Sequence, residues 1–139
     1  MFIVKSSVWY TAKVCQQNPK ALYVFGDNVM RIGCGGQAII RNEPNAFGIA
    51  TKYEPTMNDV AFFSDKYPGS YRVIIEDVMK LVLLTQTPFS DYDTVVFPGG
   101  GLGTGLSKLP EKAPDVYRFL CQLLYKLFGV DYRKTSYVR

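Results

Sequence analysis

The stretch T-V-V-F-P-G-G-G-L-G-T-G-L-S-K, residues 94–108, decides the fold. Its first four residues are β-branched or aromatic and predict a strand, and five glycines follow within residues 99–105. Glycine accepts positive φ angles and lets backbone N–H groups approach an anion closely. A flexible connection is the alternative, but five glycines are costly to order. We therefore predict a phosphate-binding loop, and call residues 99–107 the second glycine loop.

A similar unit lies earlier in the chain, where the β-prone run A-L-Y-V-F, residues 21–25, ends at Gly26. We call residues 27–38 the first glycine loop. Asp27 and Asn28 are suited to hydrogen bonds with sugar hydroxyls or an amide, and Arg31 is suited to offsetting phosphate charge. An Asx turn with a solvated Arg31 is the alternative interpretation.

Strands and helices alternate along the chain. We predict strands at residues 2–4, 21–25, 46–50 and 94–97, and helices at 8–17, at 37–41, from 71 to before Pro88, and from 114 to 129. This order predicts a single α/β domain over residues 1–139, with a mainly parallel sheet, helices on its faces and ligands at the carboxyl ends of its strands. A basic tail, residues 131–139, completes the chain.

Composition excludes several classes of chemistry. The chain has no histidine, which removes Ser-His and Cys-His nucleophiles and histidine metal sites. Its three cysteines are far apart, which argues against disulfides and a zinc site. We expect no cofactor. The absence of a secretory signal and of a long apolar run predicts a soluble cytoplasmic protein without membrane contact.

Two phosphate-binding motifs fit poorly. A Walker loop ends in Gly-Lys-Ser/Thr, whereas Gly105 is followed by Leu106 and Ser107 before Lys108. The pattern G-x-G-x-x-A at residues 33–38 matches the dinucleotide fingerprint, but it starts too far from Gly26 for the tight turn that the fingerprint requires.

Together the loops resemble those of the macro domain family, which binds ADP-ribose, and in particular its terminal ADP-ribose protein glycohydrolase branch. Residues 31–38, R-I-G-C-G-G-Q-A, resemble the branch's R-M-G-A-G-I-A with one insertion. Residues 49–52, I-A-T-K, resemble its I-T-K, and residues 101–109 resemble its last loop, over about residues 1–128 in all. The resemblance implies a three-layer fold with a mixed, mostly parallel sheet.

The resemblance also implies an ADP-ribose cleft between the two loops, with the distal ribose at the first and the diphosphate wrapped by the second. An ADP-ribosylated protein is a further partner that it implies. The residues expected to contact the ligand are Asp27, Asn28, Arg31, Gly33, Gly35, Gly36, Gln37, Gly100, Gly101, Leu102, Gly103, Thr104 and Gly105.

Glycohydrolase activity is a further implication of the resemblance. In that branch a lysine attacks the anomeric carbon and an aspartate assists; Lys52 matches the lysine, and Ser107 stands where the aspartate is expected. A second departure is the stretch of residues 4–7, V-K-S-S, where many macro domains have the glycine-aspartate pair that binds adenine.

The alternative function is a non-catalytic interaction or nucleotide-sequestering protein on the same scaffold. Some tailed-phage proteins look similar, so a phage factor acting in the host cytoplasm is one form of this alternative. For the tail we favour a solvated basic segment over a nucleic-acid contact through residues such as Tyr132, Arg133, Lys134, Tyr137 and Arg139.

Overall fold

The computed structural model describes residues 1–133 and has the predicted α/β architecture. Its strands are β1 (Phe2–Ser6), β2 (Ala21–Asn28), β3 (Ala46–Lys52) and β4 (Thr94–Pro98). The sheet order is β1-β4-β2-β3, and every pairing between these strands is parallel. An isolated antiparallel bridge joins Lys52 to Phe62. The four carboxyl ends therefore meet at one edge of the sheet.

Helices cover both faces of the sheet, which makes three layers. The helices are α1 (Ala12–Gln17), α2 (Pro68–Thr85), α3 (Leu109–Lys112) and α4 (Pro114–Phe128), and 3-10 helices span Gly36–Ile40 and Asp59–Ala61. Leu22 and Val24 of β2 pack in one core with residues of α2, α3 and α4. Tyr23 and Phe25 point the other way and pack with residues of α1 and the first 3-10 helix.

The main helices and strands follow from local signals. Pro114 is the first residue of α4, and Gly129 ends it with a φ of 73°. Buried Ile74, Val78 and Leu81 recur at helical spacing along α2. No helix between residues 1 and 133 combines the length and apolarity needed to cross a bilayer.

Two expectations need correction, and one helix was missed. The first helix begins at Ala12 and not at Val8, because Thr11 caps it by accepting a hydrogen bond from the N–H of Val14. The helix predicted at 37–41 is a 3-10 helix over Gly36–Ile40, and the short α3 was not predicted.

Tyr132 belongs to the core and not to a solvated tail. It is 2% exposed, and its hydroxyl donates a hydrogen bond to the carbonyl of Pro98 at the end of β4. Arg133 ion-pairs with Asp131 and lies over the ring of Tyr125. The other tail residues named above, Lys134, Tyr137 and Arg139, lie outside the described residues.

Candidate functional site

A cleft of about 640 Å³ lies at the carboxyl edge of the sheet. This volume is within the range of small-molecule sites. Twelve of the fifteen residues predicted for the site line it: Asp27, Asn28, Gly33, Gly35, Gly36, Gln37, Lys52, Gly100, Gly103, Thr104, Gly105 and Ser107. The parallel sheet explains why these residues come together, since they lie at or after the carboxyl ends of β2, β3 and β4.

Arg31, Gly101 and Leu102 do not line the cleft. The Arg31 guanidinium forms two hydrogen bonds with the Asp77 carboxylate, at 2.6 and 2.7 Å, so it is not available to offset phosphate charge. Leu102 is 1% exposed and packs in the core. Gly101 has a φ of 94°, and its carbonyl accepts a hydrogen bond from Gln37.

The Asp27 carboxylate is also committed to the fold. Its side chain is 3% exposed, and its two oxygens lie 2.5 and 3.0 Å from guanidinium nitrogens of Arg41. The N–H of Asn28 donates to the same carboxylate, and Arg31 lies 3.5 Å away. Gly48 makes room for it, because a Cβ there would lie 2.4 Å from an Asp27 oxygen. Both oxygens of the Asp27 carboxylate therefore already accept hydrogen bonds within the protein, and neither is free to accept the expected hydrogen bond from a ligand.

Arg41 holds the backbone of the first glycine loop. Its Nε donates to the carbonyl of Gly33 at 2.8 Å, and Nη2 donates to that of Ile32 at 3.2 Å. The Asn28 amide group also donates to Ile32, at 2.8 Å. The Oδ1 atom of Asn28 is buried without a hydrogen-bond partner among the described residues.

Gln37 connects the two glycine loops. Its side-chain oxygen accepts a hydrogen bond from the N–H of Gly26 at 2.8 Å, and its nitrogen donates to the carbonyl of Gly101 at 3.1 Å. Both amide functions are used within the protein, so Gln37 fixes the distance between the loops.

Lys52 is a buried lysine at the end of β3. It is 5% exposed, and its Nζ donates to the carbonyl of Thr56 at 2.7 Å and lies 4.8 Å from the ring centroid of Phe62. Burial lowers the pKa of the Lys52 ammonium below its ordinary value, and the positive charge of Lys108 lowers it further. A lysine in this setting loses its proton more easily than a solvated one.

Ser107 lies in a short hydrogen-bond chain. Thr51 Oγ1 donates to the carbonyl of Asp27 at 3.2 Å, and Ser107 Oγ lies 2.7 Å from Thr51 Oγ1. Either hydroxyl can be the donor in the contact between Thr51 and Ser107. The Ser107 hydroxyl thus has a hydrogen-bond partner within the protein, and Ser107 also lines the cleft.

The segment after β1 was missed as part of the site. Ser6, Ser7, Val8, Trp9 and Tyr10 line the cleft, and Trp9 is 74% exposed. The single tryptophan of the chain thus lies at a ligand-sized opening. The capping residue Thr11 was the available signal, since a helix that begins at Ala12 leaves Val8 to Tyr10 as a loop at a strand's carboxyl end.

Comparison with known proteins gives a family for this chain. Residues 5–123 match the model of a family of unknown function, DUF7831. The chain belongs to the DUF7831 family. The matched residues run from β1 into α4, so the DUF7831 match includes both glycine loops and Lys52. No curated protein and no solved structure matches the chain.

No residues suited to a metal ion come together in the described part of the chain, where His, Cys, Asp and Glu form no group of three or more. The chemistry that the cleft offers is therefore that of backbone amides, an ammonium group, hydroxyls and apolar surface.

Proposed function

We propose that the cleft binds ADP-ribose or a related nucleotide, free or attached to a protein. The macro-like order of the two glycine loops and Lys52 supports this proposal, as does the position of the cleft at the carboxyl edge of a parallel sheet.

The observation that carries the proposal is a set of glycines that the fold does not require. A Cβ at Gly100 or Gly105 would meet no atom within 4 Å, and one at Gly35 would make an ordinary contact of 3.6 Å with Leu106. None of the three has a positive φ. All three line the cleft. A ligand that approaches the backbone closely explains why a side chain is missing at these positions.

Two further features support a nucleotide. Trp9, Val8, Ile32 and Leu106 place exposed apolar side chains at the cleft, and the indole of Trp9 offers a face on which a base can stack. The hydroxyl of Ser107, which lines the cleft, can accept a hydrogen bond from a sugar hydroxyl. The cleft thus combines an apolar surface with polar groups suited to a ribose.

Calorimetry with ADP-ribose tests the proposal. We expect Gly100→Ala and Gly105→Ala to weaken binding about ten-fold or more, because each new methyl group occupies the space of the ligand. Stability should stay the same or rise by about 0.4–1 kcal/mol, since alanine restricts the unfolded chain.

Gly69→Ala is the matched control. A Cβ at Gly69 would also make only an ordinary contact, at 3.5 Å, but Gly69 lies in α2 and outside the cleft. This variant should bind like the wild type. The absence of heat at millimolar ADP-ribose with folded protein would refute ADP-ribose as the ligand, and unchanged affinity in both loop variants would refute the assigned role of the glycines.

Hydrolysis of an ADP-ribosyl bond through Lys52 is the second candidate function. The burial of Lys52 and its lowered pKa favour it, because a neutral amine can attack the anomeric carbon while the bond from that carbon to the protein breaks, and water then releases ADP-ribose from the lysine. Ser107 favours binding without hydrolysis, because a hydroxyl does not ionise at neutral pH and so does not replace the acid/base function of the expected aspartate.

Lys52→Arg separates these functions, because arginine keeps the positive charge and removes the nucleophilic amine. If hydrolysis runs through Lys52, release of ADP-ribose from an ADP-ribosylated protein is abolished while ADP-ribose affinity is retained. An equal rate of ADP-ribose release by the wild type and by Lys52→Arg would exclude Lys52 as the nucleophile.

A further inference from the structure

Two lysine ammonium groups lie over one aromatic ring at the end of β3, and a third lysine is near them. The Nζ atoms of Lys52 and Lys112 lie 4.8 and 4.9 Å from the ring centroid of Phe62. Lys108 lies one helical turn before Lys112, whose N–H donates to the Lys108 carbonyl at 2.8 Å, and the positive charge of Lys108 lowers the pKa of Lys52. The isolated antiparallel β-bridge between Lys52 and Phe62 holds the Phe62 backbone beside the end of β3. We call Lys52, Lys108 and Lys112 the lysine cluster.

The lysine cluster has no negative partner in the described part of the chain. The five ion pairs among residues 1–133 all use arginine, and their carboxylates belong to Asp27, Asp77, Asp115 and Asp131. Contact with the Phe62 ring compensates part of the positive charge, but a buried ammonium is normally paired with an anion. The cluster therefore has the charge of an anion site without an internal anion.

Lys52 also has bonding capacity left for a ligand. Its ammonium carries three N–H donors, of which one goes to the carbonyl of Thr56 and another faces the weak acceptor Met57 Sδ at 3.9 Å. Lys52 lines the cleft, and Lys108 follows Ser107, which also lines it. An anion bound at the cluster would thus lie at the Lys52 end of the cleft.

We propose that the lysine cluster binds a phosphate monoester group. Three cations match a group that carries about −1.5 to −2 charge at neutral pH better than they match a single carboxylate. The inference deepens the proposed function, on which it rests for the position of the rest of the ligand: the cleft would prefer a nucleotide that ends in a phosphate monoester. It also gives Lys52 a different role, because an ammonium that holds an anion is not a nucleophile.

Titration with inorganic phosphate at constant ionic strength tests the site. The probe is the methyl resonance of Met57 in methionine-labelled protein, because the Met57 sulfur lies 3.9 Å from Lys52 Nζ. We expect a saturable shift with phosphate and a binding constant at least about ten-fold weaker for acetate, which carries one charge.

The loss of phosphate affinity should be largest for the lysine that is most buried. We expect Lys52→Gln to weaken phosphate binding about ten-fold or more, and Lys108→Gln and Lys112→Gln to weaken it about three-fold each. Lys52→Arg should keep most of the affinity, which guards against misfolding of the glutamine variant. Lys80→Gln, an exposed position on α2, is the control and should bind like the wild type.

The outcomes separate the site from the nucleotide proposal. Lysine-dependent phosphate binding without ADP-ribose binding would support the site and overturn ADP-ribose as the ligand. ADP-ribose binding without a saturable phosphate shift, or with phosphate affinity unchanged in all three glutamine variants, would overturn the site alone. Acetate binding as tight as phosphate would overturn the choice of a phosphate monoester.

Discussion

The two glycine loops line the same cleft, but they use their residues differently. In the first, the charged side chains are committed to the fold: Asp27 pairs with Arg41, and Arg31 pairs with Asp77 of α2. In the second, Gly100 and Gly105 leave the backbone bare where the fold does not require it. The first loop is held by side chains and the second presents its main chain.

This difference changes which residues are good ligand candidates. Charged residues in a loop suggest ligand contacts, yet buried charges need partners, and the partners of Asp27 and Arg31 come from elsewhere in the chain. The main-chain groups beside a glycine carry no charge and need no such partner, so they remain free to contact a ligand. Substitutions of Asp27 and Arg31 in the first loop should therefore lower stability, and those of Gly100 and Gly105 in the second should lower affinity.

The largest expected effect is that of Asp27→Asn. It removes a buried negative charge and turns an amide N–H₂ toward the Arg41 guanidinium, whose side chain is 14% exposed. We expect a loss of about 3–5 kcal/mol in the free energy of unfolding, measured by urea denaturation.

Asp115→Asn is the control for this variant. Asp115 forms an ion pair with Arg118 in which both side chains are more than half exposed, so its loss should cost less than about 1 kcal/mol. Equal losses in the two variants would show that the Asp27 pair contributes no more than a surface pair, and the contrast between the loops would fail.

A smaller loss of stability is expected from Gly103→Ala. This variant tests whether one glycine of the second loop is required by the fold. Gly103 has a φ of 75°, and a Cβ there would lie 2.9 Å from the Cβ atoms of both Leu109 and Thr51. We expect a loss of about 2–4 kcal/mol from strain and overpacking. Gly100→Ala, by comparison, should change stability by less than about 1 kcal/mol.

Thermal unfolding of the two alanine variants side by side makes this comparison. If Gly100→Ala is as destabilised as Gly103→Ala, then Gly100 is also required by the fold. The absence of a side chain at Gly100 would then be explained by the fold and would no longer support a ligand site.

The sequence determined the elements and the location of the site. The β-branched runs at 21–25 and 94–97, the periodic apolar positions of α2 and α4, and the Pro114 and Gly129 boundaries are local signals, because strand and helix geometry repeats over a few residues. Alternation of these elements predicted the parallel sheet, and a parallel sheet places the residues after its strands at one edge.

Only the tertiary structure decided how individual side chains are used. Arg31 and Asp77 are 46 residues apart in sequence, and Tyr132 and Pro98 are 34 apart, so no local pattern links them. The same holds for the lysine cluster, in which Lys52 at the end of β3 and Lys112 of α3 lie over the ring of Phe62 although they are far apart in sequence. Residue type sets what a side chain can bind, but burial and long-range neighbours decide whether that capacity is already used within the fold.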